Sequence, residues 1–277
     1  MNNIEGAVAQ HYGDADLLGR IVKGLEAARI DLNQLQIDDL APVDEFHLGG
    51  RKSTEYAVEK MPLSEDGHVL DIGCGIGGAA RYIAKQTGCR VSGIDLTPEY
   101  IQVAQKLTNL TGLEKKMSFE VASALSMPFE NDTFDAAITF HVAMNISDRE
   151  SLYGEIARVM KPGATFCVFD VMKKSDEKPI FPVPWAESAK TSHLTTPDEM
   201  RALLDDAGFE ISEVDDRTDF ALDFLRQRLT PEGEAPPPLG LHVILGASAR
   251  EKIKNTLRNM EDGRIAPVQM IARRKEK

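Results

Sequence analysis

From residue 68 onward, short apolar segments alternate with segments whose apolar residues recur at helical spacing. The apolar segments predict strands at residues 69–72, 90–94, 117–121, 136–140, 164–171, 209–215 and about 268–272. The segments between the first five strands predict helices at residues 77–86, 98–111 and 149–160. This β-α-β-α pattern predicts an α/β fold with a doubly wound, mostly parallel, seven-stranded sheet.

The segments that flank this alternation predict additional helices and a cap. Leu17, Ile21 and Leu25 recur at helical spacing, and residues 1–60 are interpreted as an N-terminal helical lid. Residues 61–277 are interpreted as one domain with cap segments at about 173–195 and 217–262. The first of these is charged and proline-rich, which is typical of a functional loop. Trp185 and Phe181 either form an aromatic wall there or pack beneath the cap.

The turn after the first strand carries the strongest chemical signal. Residues 69–78 are Val-Leu-Asp-Ile-Gly-Cys-Gly-Ile-Gly-Gly, in which Gly73 and Gly75 allow a sharp turn and close approach of a ligand. The same residues satisfy the weak G-x-G-x-x-G dinucleotide pattern, so a nicotinamide-dependent oxidoreductase is one hypothesis. Asp71 opposes it, because a pyrophosphate prefers free N–H groups and a positive helix end. A carboxylate better suits an ammonium or hydroxyl groups.

Polar residues also follow other predicted strands. In a parallel sheet, ligands bind beyond the carboxyl ends of the strands, so side chains at those ends should share one edge. The residues at or just past strand ends are Asp71, Asp95, Ser123, His141 and Asp170.

Composition narrows the range of partners. The net charge of −12 disfavours nucleic acids and anionic membranes, because it repels phosphates. We find no signal peptide and no apolar run of the ~18 residues needed to cross a bilayer. The cysteines, Cys74, Cys89 and Cys167, lack metal-ligand spacing and predict reduced thiols in the cytoplasm. No metal site is expected.

Several of these segments together resemble the class I S-adenosylmethionine-dependent methyltransferases. The resemblance covers about residues 45–215 and rests on the glycine turn, the strand ending at Asp95, the 127–129 turn, the 158–163 segment and the 207–209 helix end. It implies a Rossmann-like fold. Residues 46–50 and 75–82 resemble the small-molecule branch, which contains sarcosine, dimethylglycine and phosphoethanolamine N-methyltransferases and sugar or natural-product O-methyltransferases.

The resemblance implies roles for individual residues. Asp71 and the Gly73 carbonyl would hold the methionine ammonium, Asp95 the ribose hydroxyls, and Leu96 the adenine face. Ser123 stands where relatives often have an aspartate that binds the adenine amino group, and the backbones of Ala124 and Leu125 would compensate. The implied cofactor-binding set is Asp71, Gly73, Cys74, Gly75, Asp95, Leu96, Ser123, Ala124, Leu125 and His141. The implied catalytic set is His141, Asp170, Tyr12, His47 and Asn145.

The resemblance also bears on residues around the methyl group and the acceptor. Tyr12 and the loop from His47 to Gly50 would close over the methyl-sulfonium group. Asn145 stands where several relatives have a histidine proposed as base, and it could only orient the substrate because an amide takes no proton. Asp170 would face the substrate pocket, or it is an ordinary turn aspartate.

The resemblance therefore implies methyl transfer from S-adenosylmethionine, leaving S-adenosylhomocysteine, to a small molecule. The nitrogen of an amine or amino acid is the first expectation, and the oxygen or carbon of a hydroxylated metabolite is the alternative. A non-catalytic donor-binding or scaffold protein is a further hypothesis. The sequence leaves open whether the chain is a monomer or a homodimer.

Overall fold

The computed structural model of the protein describes residues 16–229 and 234–276. The strands are β1 (His68–Ile72), β2 (Arg90–Asp95), β3 (Met117–Val121), β4 (Phe134–Phe140), β5 (Met160–Lys173), β6 (Phe209–Asp216) and β7 (Ile265–Arg274). The α-helices are α1 (Leu17–Ala27), α2 (Ile37–Asp44), α3 (Arg51–Glu59), α4 (Gly78–Thr87), α5 (Pro98–Leu110), α6 (Arg149–Val159), α7 (Pro197–Asp206), α8 (Thr218–Arg228), α9 (His242–Leu245) and α10 (Ala249–Glu261).

All seven strands form one sheet in the order β3-β2-β1-β4-β5-β7-β6. The pairs from β3 through β5 are parallel, whereas β7 lies antiparallel between β5 and β6. The predicted doubly wound, mostly parallel sheet is therefore confirmed. The chain moves outward from β1 through β2 to β3 and then returns to β4 on the other side of β1. This reversal creates a crevice at the carboxyl ends of β1 and β4.

Alternate side chains of the central strands face two different cores. Val69 of β1 packs in one core with Ala80 and Ile83 of α4. Leu70, the next residue, packs in the opposite core with Leu152 of α6. Successive side chains of a strand point to opposite faces, so a strand covered by helices on both faces must be apolar throughout. This explains the continuous apolar segments in the sequence.

The N-terminal helix α1 covers the outer side of α5. Leu17, Ile21 and Leu25 of α1, which the helical spacing identified, are at most 1% exposed. They pack with Tyr100 and Leu107 of α5 in a third apolar cluster. Phe46, in the loop that follows α2, packs against the same cluster.

The largest differences from the predicted strand bounds are in β5 and β7. The sequence Lys161-Pro162-Gly163 was expected to separate α6 from a strand beginning at residue 164, but β5 begins at Met160. Met160 pairs with Phe134, and regular pairing resumes at Ala136 and Thr165 after a register shift. The irregularity accommodates the proline and glycine without ending the strand. Strand β7 is also longer than expected because it pairs along its length with β5 and β6.

The cap segment after β5 is mostly irregular and packs against the domain. Trp185 is 2% exposed, and its indole N–H donates to Ser192 Oγ at 3.0 Å. Among the described helices, none has the length and apolar character to cross a bilayer. The described residues also contain no group of three or more His, Cys, Asp or Glu side chains that could hold a metal ion.

Candidate active site

A large cavity lies at the carboxyl ends of β1, β2 and β4. Its empty volume is about 1230 Å³, including space that opens to solvent. Asp71 lies near the end of β1, Asp95 ends β2 and His141 follows β4, and all three line this cavity. We predicted that polar residues at the ends of separate strands lie at one edge of the sheet, and the structure shows this for these three residues. Ser123, which follows β3, lines the same cavity.

The glycine turn is joined to β2 by hydrogen bonds. The N–H groups of Gly73 and Cys74 donate to the Ile94 carbonyl at 2.8 and 2.9 Å. The N–H of Gly75 donates to Asp95 Oδ2 at 3.0 Å, and the N–H of Thr97 donates to Asp95 Oδ1 at 2.9 Å. Both carboxylate oxygens are therefore fixed in position. The Thr97 hydroxyl and the Leu96 backbone also contact this carboxylate, which is half-buried and lines the cavity, where a ligand hydroxyl can reach it.

A side chain cannot replace the hydrogen at Gly75. Its φ of +53° lies in the left-handed region, and a Cβ there would lie 2.8 Å from the Phe46 ring. Phe46 belongs to the loop after α2, so the glycine lets this loop approach the turn closely. The loop and the turn together form one wall of the cavity.

Asp71 is a buried carboxyl group with an unfilled hydrogen-bonding position. Its side chain accepts a hydrogen bond from the Ala80 backbone, and Oδ2 has no hydrogen-bond partner among the described residues. Burial, with the nearby charges of Glu45 and Asp95, raises the pKa of Asp71 to about 8. A cationic group beside Oδ2 would fill the position and lower this pKa again. The residue thus fits the ammonium that the resemblance implies.

Asp44 is a further acid in the same cavity, and the sequence analysis missed it. Its Oδ2 accepts a hydrogen bond from Arg81 Nη2 at 2.7 Å, and both side chains are fully buried. Its Oδ1 lies buried with no hydrogen-bond partner in the part of the chain that the structure describes. Arg81 was the available signal, because an arginine on the apolar face of a helix requires a buried partner.

His141 lines the cavity directly after β4. Its φ is +58°, in the left-handed region, and its backbone N–H donates to the Phe169 carbonyl at 2.8 Å. Nε2 is buried and has no hydrogen-bond partner among the described residues. Burial, together with the neighbouring His47, holds the pKa of His141 well below 6.5. The imidazole is therefore neutral at pH 7, with a nitrogen available to a ligand.

His47 belongs to the loop after α2 and is also neutral. Its Nε2 lies 3.1 Å from the Gly50 carbonyl and 3.1 Å from Thr54 Oγ1. A carbonyl only accepts hydrogen bonds, so Nε2 carries the proton and Nδ1 carries the lone pair. Burial lowers the pKa of His47 to about 4. The His47 and His141 ring centroids lie 6.1 Å apart, and both residues line the large cavity.

Asn145 lines the cavity and connects it to the cap. Its Nδ2 donates to the Trp185 carbonyl at 2.8 Å and to the Thr191 carbonyl at 2.9 Å. The amide therefore holds the cap segment over the cavity. Its proposed role in orienting a substrate stays a prediction.

Asp170 lies within β5, which continues to Lys173 instead of ending at residue 171 as predicted. Its carboxylate is 1% exposed, lies 3.7 Å from Arg149 Nη1 of α6 and lines neither of the two cavities described here. A role of Asp170 toward the substrate stays a prediction. Burial, partly offset by Arg149, raises the pKa of Asp170 to about 7. Tyr12, another residue of the predicted catalytic set, lies outside the described residues.

The residues expected around the adenine follow β2 and β3. Leu96, Ala124 and Leu125 line the large cavity together with Ser123. The Leu125 N–H donates to Ser123 Oγ at 3.1 Å, which orders this turn. The structure brings these four residues together, and their role in binding adenine stays a prediction. Further lining residues that the sequence did not single out are Phe46, Thr97, Tyr100, Val142, Ile146, Ser147 and Asp148.

A second cavity adjoins the first at His47 and His141. Its empty volume is about 590 Å³, again including open space. The two cavities share Phe46, His47 and His141, so these residues form the boundary between them. The outer part of the second cavity is formed by the cap and by helices α8, α9 and α10. The sequence analysis did not predict that the cap and these three helices form one cavity.

The sequence matches known proteins in the same region. Residues 70–168 match a family model described as a methyltransferase domain. Methyltransferase GfsG of Streptomyces halstedii is 29% identical, with 64% of this chain and 65% of that protein covered. Norajmaline N-methyltransferase of Rauvolfia serpentina is 36% identical over 51% of this chain and 44% of that protein. Sterol 24-C-methyltransferase of Kluyveromyces lactis is 30% identical over 64% and 49%.

Solved structures resemble the whole described fold. The [4+2]-cyclase SpnF superposes with a TM-score of 0.73 at 21% identity, covering 99% of this chain and 97% of that one. A putative sarcosine dimethylglycine methyltransferase from Galdieria sulphuraria superposes with a TM-score of 0.66 at 19% identity, covering 81% and 86%. At this identity the likeness shows the fold. The matched segment spans about half to two thirds of the length of the curated relatives above.

Proposed function

Because residues 70–168 match a methyltransferase domain and the sequence resembles the class I S-adenosylmethionine-dependent methyltransferases, we propose that the chain transfers the methyl group of S-adenosylmethionine to a small molecule. One observation carries the proposal. Two acids at the ends of neighbouring strands, Asp71 and Asp95, line one cavity, and His141, a neutral histidine with an unpartnered ring nitrogen, lines it as well. A ligand that carries both an ammonium group and ribose hydroxyls matches these two acids.

The chain's own residues would hold the donor at three points. The unpartnered oxygens of Asp71 and Asp44 would accept hydrogen bonds from the ammonium, together with the Gly73 carbonyl. Asp95 would accept from the ribose hydroxyls while its backbone donors keep it in place. Leu96 and the 123–125 turn would surround the adenine. When bound, S-adenosylmethionine supplies a methyl group on a sulfonium, which is open to in-line attack.

His141 is proposed to receive or orient the acceptor's proton. The neutral imidazole can accept a hydrogen bond at Nε2 from an N–H or O–H group of the acceptor. As the acceptor atom gains the methyl group, its proton passes to Nε2 and then to water. General base catalysis of this kind contributes typically about 10²–10⁴-fold in rate. The Nε2 proton of His47 is donated to the Gly50 carbonyl, so His47 would not take part in proton transfer. Its ring would instead hold the neighbouring His141 ring in position.

Nitrogen is proposed as the accepting atom. An amine must be neutral to attack, and an apolar site favours the neutral amine because burial disfavours the charged form. The resemblance to amine methyltransferases and the similarity to a norajmaline N-methyltransferase support this choice. Transfer to carbon or oxygen is the alternative, and the similarity to a sterol 24-C-methyltransferase supports it.

Titration calorimetry with S-adenosylmethionine and S-adenosylhomocysteine tests the donor site. We expect both to bind, and Asp95→Ala to weaken binding by about 10²-fold, because two hydrogen bonds to a charged group are lost. Asp206→Ala, which changes an exposed acid at the end of α7, is the matched control and should bind like the parent protein. Absence of binding by both compounds, with no effect of Asp95→Ala, would refute the proposed function.

An assay of methyl transfer tests the accepting atom. Glycine, sarcosine, dimethylglycine, phosphoethanolamine and 1-naphthylmethylamine each offer nitrogen in a different chemical setting. Turnover of any amine supports nitrogen as acceptor. If donor binding is intact and only phenols or alcohols of similar shape react, the assignment of nitrogen is wrong while the methyltransferase proposal stands.

A further inference from the structure

The second cavity has an almost wholly apolar wall. It begins at the boundary formed by His47 and His141 and extends away from the donor cavity. Its lining residues are Phe46, His47, Leu48, His141, Met144, Pro184, Trp185, Phe224, Leu225, Leu241, Leu245, Ile253 and Thr256. Among these described residues, none is Asp, Glu, Lys or Arg.

Apart from His141 Nε2, the side-chain polar atoms of this wall are engaged within the protein. The Thr256 hydroxyl donates to the Lys252 carbonyl at 2.8 Å, and the Trp185 indole N–H donates to Ser192 Oγ. Lys252, one turn before Thr256 on α10, is paired with Glu187 at 2.6 Å. His47 and His141 are neutral at pH 7, as their lowered pKa values require. The described wall therefore offers no cation to a carboxylate or phosphate.

This composition selects against charged acceptors. A carboxylate that entered the cavity would lose its hydration without gaining a counter-charge, which is strongly unfavourable. An apolar group would instead gain affinity by leaving water, at about fourfold for each methylene buried. The cavity joins the donor site at His141, so a molecule lying in it would place one end beside the transferred methyl group.

We propose that the acceptor has an uncharged aromatic or alicyclic body that occupies this second cavity, with its nucleophilic atom at the end nearest His141. The proposal rests on the proposed function, because only methyl transfer makes this cavity an acceptor site. Free amino acids and phosphoethanolamine are excluded as preferred acceptors. Leu245, Phe224 and Ile253 become specificity-determining residues, contributed by three separate helices.

A fluorescent probe tests this proposal directly. N-phenyl-1-naphthylamine is uncharged and apolar, and it can quench the emission of Trp185, the only tryptophan in the chain. We expect saturable quenching in the presence of S-adenosylhomocysteine. We also expect 1-naphthylmethylamine to displace the probe, and sarcosine and phosphoethanolamine to leave it bound at a concentration about 100 times higher, since neither buries apolar surface.

Two variants test whether the probe binds in the second cavity. Leu245→Gln changes a half-buried wall residue and should weaken probe binding by about tenfold, because a buried leucine contact is lost. Leu110→Gln changes an exposed leucine on α5, a helix that packs on β2 and β3 and contributes no residue to the described wall, and should leave probe binding unchanged. Non-saturable quenching, displacement by sarcosine, or an equal effect of the two variants would overturn the proposal.

Measuring whether S-adenosylhomocysteine binds distinguishes a wrong acceptor proposal from a wrong proposed function. If S-adenosylhomocysteine binds but the probe does not, the acceptor class is wrong and the methyltransferase proposal remains. If S-adenosylhomocysteine does not bind, the proposed function fails and the acceptor proposal fails with it.

Discussion

Replacing Asp71 with asparagine should make the donor-free protein more stable and the donor site weaker. The carboxyl of Asp71 is buried beside two other acids, and its pKa is raised from 3.8 to about 8. The folded protein therefore keeps a proton that the unfolded chain releases above pH 3.8. Unfolding releases this proton, so rising pH favours unfolding across that window. Asparagine has nearly the same shape and releases no proton in either state.

The magnitude follows from the width of this pH window. Each pH unit between about 4 and 8 should lower the parent's free energy of unfolding, relative to Asp71→Asn, by about 1.4 kcal/mol. The difference should be close to zero near pH 4 and about 4 kcal/mol at pH 7. Above pH 8 the carboxyl is ionised in both states and the difference should become constant. The stabilising effect of the carboxyl group's proton is thus present at low pH and lost as pH rises.

Urea unfolding of both proteins at several pH values measures this difference. Other buried acids contribute to both curves, so subtracting one curve from the other leaves the contribution of Asp71 and its coupling to its neighbours. Asp206→Asn, an exposed substitution, should give a curve parallel to that of the parent protein. A pH-independent difference between Asp71→Asn and the parent, or a less stable variant at pH 8, would refute this account of the site.

Asp71→Asn should bind S-adenosylmethionine more weakly by about 30- to 100-fold, because a charge-assisted hydrogen bond is replaced by a neutral one. Donor binding to the parent protein should release a proton below pH 8, which calorimetry in buffers of different ionisation enthalpy should detect. Gly78→Ala should destabilise the protein by about 3 kcal/mol in urea unfolding, since the new Cβ would lie 2.0 Å from the Asp44 carbonyl oxygen. Gly154→Ala, at an exposed helical position with no atom within 4 Å, should stabilise it by about 1 kcal/mol, and an equal effect of the two would contradict the packing argument. Arg81→Met should cost about 3–5 kcal/mol by leaving Asp44 unpaired, and adding Asp44→Asn should recover part of that loss. His141→Ala should lower kcat by about 10²-fold, and the parent's kcat should show no inflexion near pH 6.5, since the pKa of His141 lies well below that value.

Local sequence patterns predicted the centre of the fold and one edge of the site. Strand β1 and the glycine turn are encoded within ten consecutive residues, and the parallel arrangement then brings Asp95 and His141 to the same edge. These residues could be placed because each follows directly from a strand end. Their shared cavity is a consequence of topology, which the alternation of elements already determines.

Contacts between distant segments could not be predicted in the same way. Asp44 meets Arg81 only because α2 packs on α4, and no periodicity relates residues 37 apart. Asp170 lies near the end of the predicted strand, where an acid could face a substrate, but its pairing with Arg149, a residue of α6, could not be predicted from the strand pattern. The second cavity combines the loop after α2 with helices α8 to α10, so its apolar character appears only after folding.

The position of β7 in the sheet has a consequence for how the chain acquires its structure. This strand comes last among the described elements, yet it lies between β5 and β6 and supplies β6 with its only neighbour in the sheet. During synthesis, β6 must therefore wait until about fifty further residues have left the ribosome, because its pairing partner begins at Ile265. Until then the exposed edge of β5 is open to pairing with other chains, so this edge is where aggregation of a nascent or truncated protein should begin.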